Sequence, residues 1–166
     1  MDSRVIEELA KCHWVTQGKN LIITGQTGSG KSYLANALCI SALRRFKTSR
    51  YMKASQLIND LAEVLGTYSE TLNQIAAYEL LVIDDFGLMT LDLNKCRNLF
   101  EAIDSRDPGR STIVISQFPV KSWYDLFQEH TYADACLTRL LNNSYRLEMN
   151  GKNMRNMKPI NQQHSC

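Results

Sequence analysis

Proline, histidine and paired cysteine are scarce in this chain. None of the five cysteines, Cys12, Cys39, Cys96, Cys136 and Cys166, forms a CxxC pair. That spacing argues against a disulfide framework or a zinc site and predicts reduced thiols in a cytoplasmic protein. His13, His130 and His164 lie far apart with no ligand pattern beside them, so no dedicated transition-metal centre is expected. No apolar run approaches the roughly 20 residues that span a bilayer, and no basic, apolar leader opens the chain, which reads as soluble with no membrane partner. A net charge of +2 is too small to indicate nucleic acid by itself. The length of 166 residues suits one domain with a full core.

Against that plain background, the run Gly25-Gln26-Thr27-Gly28-Ser29-Gly30-Lys31-Ser32 matches the eight-position Walker A pattern without a departure. Leu21, Ile22, Ile23 and Thr24 before it read as a short buried strand. The glycines then let the backbone turn tightly and aim successive N–H groups at phosphate oxygens. A helix predicted over 32–46 adds its first-turn amides and dipole, Lys31 can reach the β- and γ-phosphates of ATP, and the Ser32 hydroxyl can ligate Mg²⁺. These eight residues and Tyr33 are the candidate nucleotide contacts.

The rest of the chain alternates strand and helix signals, which predicts βαβ units and a mostly parallel sheet. A weak helix is expected over 5–15. Arg44, Arg45 and Lys47 close the helix after the Walker A run, either as a solvated cap or as a nucleic-acid or partner contact. A strand is predicted over 49–53, a helix over 55–65 with Ser55 as N-cap and Gly66 as its stop, and a helix over 69–77. Leu80 to Ile83 then form an apolar run that ends in Asp84-Asp85, as expected of a buried strand delivering carboxylates to the ligand edge of a sheet. This is a Walker B pattern: Asp84 can hold Mg²⁺ through its water shell, and Asp85 can orient or deprotonate the attacking water. A helix over 92–105 follows, with Arg97 and Arg106 read as surface or as facing a neighbour. The strand over 111–117 brings Ser116 and Gln117 beside the acids, where Gln117 is a sensing or water-positioning residue or a strand-end cap. Trp123, Tyr124, Leu126 and Phe127 form an aromatic-rich helical cluster, suited to packing or to stacking on a base. Arg139, among Leu137, Leu140 and Leu141, either decorates a helix surface or meets another subunit's phosphate.

These segments together resemble the IstB-like ATPases, helper proteins of IS21-type transposons and AAA+ relatives of the replicative helicase loader and the replication initiator ATPase. The resemblance is carried by residues 21–38, 80–92, 110–127 and 132–155, most specifically by SQFPVKSWY followed by ADACLTRLLNN, and more loosely by residues 5–20. It implies an α/β P-loop fold of the AAA+ type with a reduced C-terminal lid. The core would span 1–155, with a partial lid near 140–155 and a flexible tail over 156–166. It gives Lys31 and Ser32 the phosphate and Mg²⁺ roles, makes Asp84 and Asp85 the Walker B pair, and puts Gln117 at the sensor position. Arg139 becomes the finger that completes the site of an adjacent subunit, and Arg155 the lid arginine, although Asn153 stands where a serine is often seen. The implied partners are further copies of the chain, duplex DNA and a transposase, or alternatively a replicative helicase. Such proteins place a DNA-binding region ahead of the core, whereas here a short helix precedes the Walker A strand. A small-molecule kinase would need an acceptor pocket for which no signature is found; a nucleotide-dependent binding module without turnover stays open.

Overall fold

The computed structural model describes residues 3–62, 67–150, 153–154 and 158–159. Five parallel strands, β1 (Asn20–Gly25), β2 (Ser49–Lys53), β3 (Leu80–Asp84), β4 (Ser111–Ser116) and β5 (Ser144–Asn150), lie in the order β2-β3-β4-β1-β5. Two-residue strands β6 (Asn153–Met154) and β7 (Lys158–Pro159) pair antiparallel with β5. The helices are α1 (Ser3–Ala10), α2 (His13–Thr16), α3 (Lys31–Arg44), α4 (Ala54–Ala62), α5 (Tyr68–Ala77), α6 (Leu93–Arg106) and α7 (His130–Leu141). No helix among the described residues is long and apolar enough to cross a membrane.

Strand alternation sends side chains to two cores, one on each face of the sheet. Ile22, Leu81, Ile83 and Val114 pack with residues of α4, α5, α6 and α7. Leu21, Ile23, Leu80, Val82, Ile113 and Ile115 pack with residues of α1, α2 and α3. The central strands β3 and β4 are buried at every position, which is why Leu80–Ile83 and Ile113–Ile115 within them are unbroken apolar runs.

Several expectations change in detail. The single opening helix is two, because Cys12 adopts a left-handed conformation (φ 60°) and redirects the chain; the Trp14 indole N–H then donates to the Leu9 carbonyl at 2.9 Å. Helix α4 begins at Ala54, directly after β2, so Ser55 is not its N-cap. The aromatic cluster forms two 3-10 turns, Val120–Ser122 and Tyr124–Leu126. In it Trp123 is fully buried against Phe86, with ring centroids 4.8 Å apart, so the cluster is packing and Trp123 has no face to offer a base. Over 144–150, within the stretch expected for a partial lid, the chain forms β5 beside β1. Residues 63–66 with the Gly66 stop, Arg155, and all of 156–166 except Lys158–Pro159 lie outside the described residues.

Arg106 departs furthest from its expected surface position. It is 3% exposed, and its guanidinium donates to the carbonyls of Ile75, Tyr78 and Ser111, each at 2.6 Å, and to the Thr112 hydroxyl at 3.1 Å. Burial, with Arg110 nearby, pushes its pKa down to about 9. One side chain thus satisfies backbone acceptors at the end of α5 and the start of β4.

Candidate functional site

The neighbouring order β3-β4-β1 brings three strand ends to one edge of the sheet. The loop after β1 is shaped by that sheet as much as by its own glycines. A Cβ at Gly25 would run into the Met149 carbonyl of β5, so only glycine fits. Gly30 precedes α3 in a left-handed conformation (φ 93°), leaving the helix start without a side-chain cap and its amides directed at the loop.

Lys31, at the start of α3, is buried. Its ammonium donates to the carbonyls of Gly25 (2.7 Å) and Gln26 (2.8 Å). Burial lowers its pKa, an effect partly offset by the charges of Asp84 and Asp85. A lysine held by two loop carbonyls, with no carboxylate bonded to it among the described residues, is a ready counter-charge for a phosphate.

The Ser32 hydroxyl donates to Oδ2 of Asp84 at 2.8 Å, so the two predicted metal residues meet across α3 and β3. Oδ1 of Asp84 accepts from the Asp85 N–H at 2.6 Å. Tyr51 of β2 also donates its hydroxyl to Oδ2 of Asp84. Burial, together with that bond, pushes the Tyr51 phenol up to about 12 and keeps it a donor. Asp85 has a left-handed backbone (φ 56°), a conformation that aspartate tolerates better than most residues, and its carboxylate lies 3.8 Å from the Lys53 ammonium. Both of those side chains are largely solvated, so the pair contributes little stability.

Ser116 and Gln117 end β4. Ser116 is buried and donates to the Phe86 carbonyl at 2.7 Å while accepting from the Phe118 N–H at 3.0 Å. It clamps the turn after β3 to the turn after β4 and so fixes where Asp85 and Gln117 stand. The side-chain carbonyl of Gln117 accepts from the Thr27 hydroxyl at 2.8 Å. Thr27, Lys31, Asp84, Asp85 and Gln117 all line one cavity of about 360 Å³, with Tyr33, 82% exposed, at its rim. Amides, an ammonium, a hydroxyl and two carboxylates are a donor set that fits a nucleotide triphosphate with Mg²⁺.

Arg139 does not line this cavity. Its guanidinium donates to Asp104 at 3.0 Å and stacks over the Phe100 ring, 4.9 Å from the centroid. Its carbonyl is held by the Asn20 side chain at the start of β1, the far end of that strand from the phosphate loop, roughly 17 Å away at about 3.3 Å per residue. The sequence reading gives Tyr51 and Lys53 a place in a strand but none at the site, and it lacks the clamp by Ser116. Their places follow from the register of β2 on β3, which sets Lys53 opposite Asp84, and from the meeting of two turns.

A family model described as IstB-like ATP binding protein matches residues 1–162. An insertion sequence ATP-binding protein (y4uH) of Sinorhizobium fredii is 38% identical over 159 residues, covering 95% of this chain and 64% of that relative. The chain therefore spans less than two thirds of that relative's length. Among solved structures, the DnaC helicase loader has a TM-score of 0.73 at 20% identity, with 87% of this chain and 85% of that one covered. DnaA from Aquifex aeolicus bound to AMPPCP has a TM-score of 0.71 at 19% identity, covering 88% of this chain and 44% of that one. The fold is thus shared with the DnaC helicase loader and with DnaA, and the chain belongs to the IstB-like ATP-binding proteins.

Proposed function

We propose that the chain binds ATP with Mg²⁺ and hydrolyses it, and that its nucleotide state controls a transposase on duplex DNA. One observation carries the chemistry: Lys31, the Ser32–Asp84 pair, Asp85 and Gln117 face a single cavity at the sheet edge. Membership of a family whose relatives are ATP-binding proteins of insertion sequences supports the link to transposition.

The chain's residues divide the work. Loop amides from Thr27 to Gly30 and the Lys31 ammonium bind the phosphates and take up charge that develops during transfer. Ser32 and Asp84 would hold the Mg²⁺. When bound, that ion neutralises charge across the β- and γ-phosphates. Asp85 orients the attacking water and accepts its proton, and Gln117 fixes the water or the γ-phosphate from the other side. Arg139 lies outside its own chain's cavity, as a finger that acts on an adjacent copy requires.

Phosphate release over a range of protein concentrations, with and without duplex DNA, tests this reading beside Arg139→Ala. A cooperative rise that the variant loses is expected. ATP binding with flat, negligible turnover would reduce the chain to a nucleotide-dependent binding module.

A further inference from the structure

Asp84 is bonded on three sides by its own protein. A carboxylate offers about four lone-pair positions. Here Ser32 and Tyr51 both donate to Oδ2, and the Asp85 N–H donates to Oδ1. One position on Oδ1 is left, and the carboxylate can turn only by breaking one of these bonds.

Of the three donors, Ser32 belongs to the phosphate loop motif and the Asp85 N–H is backbone. Tyr51 comes from the outermost strand, β2, paired opposite Val82. Its ring is partly buried against the core that contains α3, a task phenylalanine would perform equally well. The hydroxyl is what packing does not explain, and it meets the one buried carboxylate of the site.

We propose that Tyr51 is a positioning residue for the metal carboxylate. Its hydroxyl locks the rotation of Asp84 so that the remaining lone pair faces the cation's water shell, while Ser32 stays free to turn its own lone pair to the ion. The role rests on the Mg²⁺–nucleotide reading of the cavity. Outer donors of this kind orient metal ligands, and their loss commonly weakens the metal by about tenfold or more.

The test uses the full chain, a fluorescent ATP analogue and titrated MgCl₂, with binding as the readout so that turnover is not needed. Tyr51→Phe is expected to bind the analogue in EDTA as the wild type does, yet to need about tenfold more Mg²⁺ for the half-maximal metal-dependent gain in affinity. In an Asp84→Asn background the same substitution should shift the Mg²⁺ midpoint no further, because the group it orients is gone. An unchanged Mg²⁺ midpoint in Tyr51→Phe would overturn the proposal. Equal losses with and without Mg²⁺, or a variant that melts at assay temperature, would make the hydroxyl a structural prop and overturn it too. A wild type whose affinity does not respond to Mg²⁺ would refute the reading of the cavity itself, and the role of Tyr51 with it.

Discussion

The Thr27 hydroxyl donates to the Gln117 side chain across 2.8 Å, tying the phosphate loop to the end of β4. With its carbonyl engaged there, Gln117 keeps its amide N–H groups as the donors available inside the cavity it shares with Asp84 and Asp85. Gln117→Ala is expected to lower kcat by about 10- to 100-fold while ATP affinity stays within about twofold. Thr27→Val, which removes only the anchor, should cost less. Steady-state kinetics read beside equilibrium binding separate the two effects, and a wild-type kcat in Gln117→Ala would remove the residue from the reaction.

Lys31 makes the site sensitive to pH in two opposite ways. Burial lowers its pKa below the ordinary 10.5, so between the lowered value and 10.5 the unfolded chain holds more protons than the folded one. Stability from this group therefore rises with pH across that window. Phosphate binding needs the ammonium and falls as pH rises through the lowered value. Lys31→Met should abolish tight ATP binding and lose the alkaline gain in stability. Urea midpoints of both proteins from pH 7 to 10.5 check the slope; parallel curves would contradict it.

Arg106 supports the fold without touching the cavity. Arg106→Met strands the buried carbonyls of Ile75 and Ser111 and the part-buried one of Tyr78, with an expected cost of about 3 kcal/mol. For a chain of this size that corresponds to a melting temperature lower by about 6–12 °C. ATP affinity below the transition should be unchanged. A thermal melt within 2 °C of wild type, roughly the effect of an ordinary surface change, would show that water replaces the guanidinium at no cost.

Much of the site is legible in the chain because its parts are local. The apolar runs of β1, β3 and β4 are long enough to name themselves, and each ends directly in the residues that matter: the loop glycines, Asp84-Asp85, and Ser116-Gln117. Strand β5 carried a local signal as well. Tyr145, Leu147 and Met149 alternate with Arg146 and Glu148, the period of a strand, although the family resemblance reads that stretch as lid. Other features depend on distant chain. Arg106 reads as surface or as facing a neighbour until the end of α5 and the start of β4 close around it. Nothing near Tyr51 announces Asp84; only the parallel pairing of β2 with β3 brings a phenol and a carboxylate together.

The left-handed backbone at Asp85 limits which acids could ever stand there. Among carboxylates, aspartate is the one whose short chain tolerates that basin, so a change to glutamate would keep the charge yet strain the turn. Asparagine is the gentler replacement, removing charge while sparing geometry. For anyone redesigning the site, the backbone has already narrowed the alphabet at position 85, and a base with longer reach would first require the turn after β3 to be rebuilt.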